Sequence, residues 1–286
     1  MDYLKSIFLK IISLVLSILF IGIIISTITF IGNLFSDKNT VKTEKTIIKI
    51  PVEEVKEELK DENEKDIVVR HHHSWKDSKL NSYEGNIQIN MSDYNASLSN
   101  KLNITGITWG SFYKQMIEYD HLKINYVYKL FDEIYNSKKI SRKRFADIIV
   151  CFVQKIPYSI LVTKNCDEEY KLNKSIKKMI DNGEKCEGNV TGGIYTPVEF
   201  MKNFKGDCDT RTIFLYTILN HYNYDTIILN SNIYAHSIIG VNLPSSGRYK
   251  TFLGKRYYTW ETTSVNWELG DLPAEVSNMD YWNVEL

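Results

Sequence analysis

The sequence predicts an α+β domain behind an N-terminal membrane anchor, and three observations predict it. Ile11 to Leu34 runs for 24 consecutive residues without Asp, Glu, Lys or Arg. Between Trp109 and Leu219 apolar residues recur mostly at helical spacing. From Thr226 to Thr262 they fall instead into β-branched and aromatic runs divided by turn-rich segments. Helices, then one central helix, then an antiparallel meander is the order of an α+β layer structure.

Composition narrows the function classes. Across 286 residues, 35 Lys and Arg balance 35 Asp and Glu, and the zero net charge excludes a strongly basic nucleic-acid binder. There is no phosphate-cradling Gly-rich loop and no dinucleotide-binding fingerprint. The neutrality is a sum over unlike parts: 17 of the 30 residues from Asp37 to Asp66 are charged, against 24% in the whole chain. The expected organisation is a tail and transmembrane anchor over 1–36 and a charged tether over 37–66. The globular domain follows, with a helical and stranded first part over 67–140 and a core over 141–286. Five Pro and 13% aromatic residues argue against disorder in that domain.

The apolar run exceeds the roughly 20 residues a helix needs to span a bilayer. A cleaved signal peptide would have an apolar stretch of about 7–15 residues and a small-residue cleavage site, and neither is evident. No Cys follows the run, which argues against a lipoprotein anchor. A buried core helix would show a polar face, and none breaks the pattern. Lys5 and Lys10 precede the span and Lys38, Lys42, Lys45 and Lys49 follow it, a count that leans toward a cytoplasmic C-terminal domain. A short tail before a long C-terminal domain favours the opposite, and the expected location of the domain is extracytoplasmic. Val52–Asp66 reads as a solvated tether, with a short coiled-coil stalk through Val52, Val55 and Leu59 as the alternative.

The first helix is expected over Trp109–Tyr119 and the second over Leu122–Asn136, with Leu122, Tyr126, Leu130 and Ile134 as its apolar ladder. Ser141 N-caps a third over Arg142–Lys155, turning Phe145, Ile148, Ile149 and Phe152 inward, and Pro157 closes it. Pro197 opens a short helix to Phe204 that ends before Gly206. A longer helix starts near Cys208 and carries Phe214, Leu215, Ile218 and Leu219. Strands follow at Thr226–Leu229, Ala235–Val241 and Tyr257–Thr262, with Ser245-Ser246-Gly247 as the turn between the last two.

The chemistry concentrates in Gly206-Asp207-Cys208-Asp209-Thr210-Arg211. A Cys in the first turn of a helix meets unpaired backbone N–H groups and the positive end of the dipole, which favour thiolate. Gly206 lets the chain turn tightly before it. A buried, inert Cys is the alternative. His236 begins an apolar strand 28 residues later, and Glu261 lies in a second strand 25 residues after the His. Cys208, His236 and Glu261 then form nucleophile, base and orienter. Taken singly, His236 also reads as a satisfied core histidine and Glu261 as a strand-edge carboxylate.

The stretches GDCDTRTIFLYTIL, YAHSIIGV and RYYTWETT, with PVEF and FVQKIPY upstream, resemble the transglutaminase-like superfamily of papain-like cysteine enzymes, whose chain order is Cys, His, Asp. The resemblance covers about Phe145 to Thr263. It implies a papain-like core and acyl transfer through a Cys208 thioester, with a peptide or protein as substrate and no cofactor. It also implies an oxyanion held by the Cys208 backbone N–H and a side-chain donor. Gln154 in FVQKIPY is the candidate donor, with a solvated helical Gln as the other reading. This chain departs from the family in carrying Glu261 where Asp is usual; the strand must sit further back, or Thr262 or another group must substitute.

Of the four cysteines, Cys151 lies among apolar residues and reads as a small core hydrophobe. Cys166 and Cys186 bracket the polar stretch Asp167–Lys185, which looks like an insertion over the site. They are either a disulfide clamp or two reduced, exposed thiols. Arg70-His71-His72-His73-Ser74-Trp75 invites a metal reading, but three consecutive His cannot point one way and no HExxH or CxxC partner exists. Entry to the folded domain with Trp75 packed down is the favoured reading, and no metal is expected. The expected function is membrane-anchored peptide hydrolysis or transamidation. Alternatives are a degenerate domain binding peptide or cell-envelope polymer through the old cleft, and a metal-dependent hydrolase built on His71–His73.

Overall fold

The computed structural model describes residues 67–105, 108–137 and 139–286. The expected anchor at Ile11–Leu34 and the tether over 37–66 lie outside the described residues. Among the described residues no helix is long and apolar enough to cross a membrane.

The domain opens with a hairpin of β1 (Val68–Lys76) and β2 (Ser82–Asn90), antiparallel throughout. Its loop is built on Asp77, whose Oδ1 accepts from the backbone N–H groups of Lys79 and Asn81, while Oδ2 receives the Tyr83 hydroxyl and pairs with Arg144. Four helices follow: α1 (Met91–Leu102), α2 (Trp109–Asp120), α3 (Asn125–Ser137) and α4 (Arg142–Lys155). Ser141 caps α4 by accepting from the Arg144 N–H, and Phe145, Ile148, Ile149 and Phe152 are buried as the period requires.

The ladder expected for α3 is corrected. Leu122 lies outside the helix and is 65% exposed, and the buried face is Val127, Tyr128, Leu130, Phe131 and Ile134. Four-residue steps advance about 400° each, so a strict i+4 ladder winds off the face within three steps.

After α4 come β3 (Ser159–Leu161), α5 (Cys166–Leu172), α6 (Lys174–Asp181) and β4 (Lys185–Glu187). Cys166 and Cys186 are joined by a disulfide, and β4 pairs in parallel with β3. Neither α5 nor α6 buries a residue, so the covalent clip and the short strand pair hold this excursion. Its root lies beside the turn at Gly206 that leads into the next helix but one, because Tyr158 bridges Gly206 and the Ser159 N–H donates to the Gly206 carbonyl at 3.2 Å. Closing a loop of this length is worth about 3 kcal/mol in the chain-entropy model. Reduction, or Cys166→Ser, is therefore expected to lower the melting temperature by about 6–12 °C. Scanning calorimetry with and without reductant checks this, and a shift under about 1 °C would refute it.

Two helices complete the α layer: α7 (Pro197–Asn203), with a Thr196/Glu199 capping box, and α8 (Cys208–His221). The main sheet is antiparallel, ordered β7-β8-β6-β5-β9, from β5 (Thr226–Ser231), β6 (His236–Val241), β7 (Tyr249–Phe252), β8 (Lys255–Trp260) and β9 (Asn283–Val284). The expected three-strand meander thus gains β7 and β9. The turn expected to lead from β6 straight to β8 leads to β7, which reaches β8 through Leu253 and Gly254, both at positive φ.

The central helix α8 packs on β5 and β6 on one side and on α4 and α7 on the other. One core runs through Trp75, Ile87 and Phe131 as well as Phe145, Phe152 and Phe214, so the stretches 67–140 and 141–286 share it. Each fully buried aromatic contributes about 1.5–3 kcal/mol relative to exposure.

Candidate active site

Cys208 is the first residue of α8. Asp207 caps the helix by accepting from the Thr210 N–H at 3.1 Å, and Thr210 Oγ1 accepts from the Tyr195 N–H. Capping leaves the first-turn N–H of Cys208 without an intrahelical partner. Gly206 serves by proximity rather than by an unusual dihedral angle. A Cβ there would lie 2.7 Å from Thr210 Cγ2 and 3.0 Å from the Phe200 ring, and φ is not positive.

His236 opens β6, directly after Ala235, whose φ of 46° is unusual for a residue with a Cβ. Glu261 follows the last residue of β8, and Trp260 pairs with Ile239, so the two side chains meet at the same end of neighbouring strands. His236 Nε2 lies 2.9 Å from Glu261 Oε2. A carboxylate only accepts, so Nε2 carries the hydrogen, and in the neutral ring Nδ1 holds the lone pair.

The longer Glu is accommodated by folding back on its own chain. Glu261 Oε1 accepts from the N–H groups of Thr262 and Thr263, each at 2.9 Å, and from Thr263 Oγ1 at 2.7 Å. Burial would push this carboxyl up. The His236 charge and hydrogen bond, with those from Thr263, outweigh it and hold the pKa at about 2. Burial likewise opposes the His236 cation, but Glu261 prevails and the pKa is raised.

The nucleophile's electrostatics differ from expectation. Burial first, then the carboxylates of Asp209 and Asp207, push the Cys208 thiol well above its usual range, against a hydrogen bond from the Ser237 backbone. The helix terminus does not win, because burial, and after it the acidic neighbours on either side of the Cys, outweigh the dipole. Cys208 rests as a thiol. Asp207 and Asp209 are themselves raised, first by burial.

Gln154 is brought to the site in a different role from the one expected. Its Nε2 donates to the carbonyls of Glu261 at 2.7 Å and Trp267 at 3.0 Å, which occupies both hydrogens. It fixes the segment carrying Glu261 and has no donor left for an oxyanion. Nor is it a solvated helical Gln, being 3% exposed.

The histidine triplet is accounted for by packing. His71 Nε2 lies 2.8 Å from the Lys202 carbonyl and its ring stacks on Phe204; His73 Nε2 lies 3.1 Å from the Phe152 carbonyl. His72 points to the other face, toward Asn86, and Trp75 Nε1 donates to the Ile148 carbonyl. Burial drives His73 down to about 4. Among the described residues no group of three or more His, Cys, Asp or Glu could hold a metal.

Residues given no role from the sequence complete the site. Arg211, fully buried one turn into α8, donates to the carbonyls of Gly206, Val153, Thr262 and Ile156. Tyr113 of α2 donates to Asp209 at 3.1 Å. Tyr158 has Cys208 as its largest charged influence after burial and makes no hydrogen bond through its hydroxyl to a described residue. An Arg immediately ahead of the apolar run TIFLYTIL was the available signal for the first; the other two had none.

The ion pair gives stability a defined pH dependence. Glu261, depressed from 4.5 to about 2, contributes fully above 4.5 and is lost as pH falls toward 2. His236, raised from 6.5, contributes fully below 6.5 and is lost as pH rises through its folded value. The stability difference between wild type and Glu261→Gln should therefore be largest between 4.5 and 6.5 and shrink on the alkaline side. The raised Asp207 and Asp209 act in both proteins and cancel to first order in the difference. Urea titrations across this range measure it; a difference that grows above pH 8 contradicts the pair. The chain matches no protein-family model, no curated protein and no solved structure.

Proposed function

We propose that this protein is a membrane-anchored cysteine enzyme of transglutaminase-like type, with a papain-like core, that cleaves or transfers peptide amide bonds through a Cys208 thioester. The observation that carries the reading is the His236 Nε2–Glu261 Oε2 contact of 2.9 Å, between β6, which packs on the helix whose first residue is Cys208, and the end of its neighbour β8. It orients the imidazole so that Nδ1 is the free base, and it favours the imidazolium that forms in the reaction.

In this reading Nδ1 takes the thiol proton as sulfur attacks the amide carbonyl. The C–N bond breaks as the imidazolium returns the proton to the leaving amine. Water or a second amine then resolves the thioester, giving hydrolysis or transamidation; for an isolated domain of this kind hydrolysis is favoured. Because Cys208 rests as a thiol, proton transfer accompanies attack rather than preceding it. The Cys208 backbone N–H donates to the developing oxyanion, with the Tyr158 hydroxyl as the candidate side-chain donor in place of Gln154.

The disulfide supports placing the domain in an oxidising, extracytoplasmic compartment, tethered by the N-terminal segment. One observation favours a second reading: the raised Cys208 thiol suits a domain that binds peptide or cell-envelope polymer without turnover. Iodoacetamide labelling mapped by mass spectrometry separates the two. The enzyme reading expects His236 to assist Cys208 alkylation near neutral pH, so that labelling runs about tenfold or more slower in His236→Ala. Equal, slow labelling in both proteins would sink it.

A further inference from the structure

Three hydrogen bonds form a chain that begins one residue after the nucleophile and ends one residue after the base. Tyr113 Oη donates to Asp209 Oδ1 at 3.1 Å; Asn230 Nδ2 donates to Tyr113 Oη at 3.2 Å; Ser237 Oγ donates to Asn230 Oδ1 at 2.8 Å. The four residues come from α8, α2, β5 and β6. The Tyr hydroxyl gives one hydrogen and takes one, the Asn amide uses both its ends, and the Ser237 side chain also bonds Asp209 directly, so the chain closes into a ring.

The two termini are what give the chain meaning. Asp209 adjoins Cys208 on the helix, and Ser237 adjoins His236 on the strand. The Ser237 backbone also bonds the Cys208 sulfur. We propose that the Tyr113–Asn230 bridge is a positioning device that sets the distance between Cys208 and His236, which makes α2 a part of the reaction centre. This rests on the reading of Cys208 as nucleophile and His236 as base.

Packing alone does not account for the arrangement. Tyr113 and Met116 already bury the α2 face against Ile213 and Ile228 in a small core of their own. A Phe at 113 would fill the same volume, so the hydroxyl serves a bond and not the packing. Side-chain networks of this kind hold a shape better than single bonds because each member polarises the next. Sub-ångström error between nucleophile and base is enough to lower reactivity, which is where such rigidity acts.

The test is a double-mutant cycle on the full chain, reading the rate of Cys208 alkylation by iodoacetamide at neutral pH. Tyr113→Phe is expected to slow alkylation about tenfold when His236 is present and to change it less than twofold in the His236→Ala background. A purely structural Tyr113 would change both backgrounds alike, or neither, and either result overturns the proposal. Should Tyr113→Phe fail to fold, Asn230→Ala breaks the same bridge and takes its place. If His236→Ala alone alkylates at the wild-type rate, the base reading fails and this proposal with it. If His236→Ala is slow while Tyr113→Phe and Asn230→Ala match wild type, only the positioning role falls.

Discussion

Cys208→Ala is expected to abolish amide turnover while leaving the melting temperature within a few degrees of wild type. The predicted loss is about 10⁴-fold or more, the scale on which single removals from a nucleophile–base pair act. His236→Ala should cost as much, and the double variant no more, because the two groups act as one unit. Hydrolysis is read as new amino termini released from a peptide library, and transamidation as incorporation of a fluorescent primary amine into acceptor protein. The volume change at Cys208, 8% exposed, is small and should leave the fold intact, which near-UV circular dichroism checks directly. Turnover retained by purified Cys208→Ala would remove the mechanism altogether.

Glu261 should behave differently from the other two. Its Oε1 is held by three donors from Thr262 and Thr263, so Glu261→Gln disturbs a buried turn as well as the imidazole. That variant is expected to lose less turnover than His236→Ala yet more stability. The contrast follows from geometry: His236 is partly open to solvent, with a side chain 15% exposed, whereas Glu261 is 3% exposed.

The sequence carried the elements with a clear period and a clear cap. Helix α4 starts at Ser141 and ends before Pro157, and the strands around His236 and Glu261 fall where the β-branched runs lie. The disulfide was legible as one of two options. What escaped has polar side chains facing inward. Helix α1 turns Ser97 and Lys101 to the core, where Lys101 pairs with Glu199 at 2.8 Å, so no apolar stripe announces it. Strand β1 buries His73 beside Trp75, and a histidine triplet invites a metal before it suggests a strand. At the site, residue types were legible but commitments were not. Gln154 stands where an oxyanion donor was expected, yet two distant carbonyls use its amide. The thiol shows the same limit: a helix N-terminus is visible in a sequence, but the net effect of burial and two flanking carboxylates on Cys208 is a three-dimensional sum.

Arg211→Met should be the most destabilising single change in the domain. The guanidinium has no exposed surface, and its four hydrogen bonds reach three separate parts of the site: the C-terminus of α4 through Val153 and Ile156, the nucleophile turn through Gly206, and the Glu261 segment through Thr262. The Arg stays charged, since burial lowers its pKa only to about 10. Met matches the stem but removes a donor from four carbonyls; Gly206 and Val153 keep the Ser159 and Ile156 N–H groups, so the cost of about 1–3 kcal/mol per dry carbonyl falls on Ile156 and Thr262. Partial relaxation and water entry reduce the sum, so a loss of about 3–5 kcal/mol is expected, a large share of the roughly 5–15 kcal/mol a domain holds. Arg211→Lys keeps the charge but not the planar fork, and its compact ammonium cannot span three segments, so it should recover less than half of that loss. Guanidinium titrations of wild type and both variants give the comparison. A Met variant within about 1 kcal/mol of wild type would mean that the three segments hold their arrangement without the Arg. If instead Arg211→Lys folds but alkylates slowly at Cys208, the same four bonds are shown to set the catalytic geometry as well as the fold.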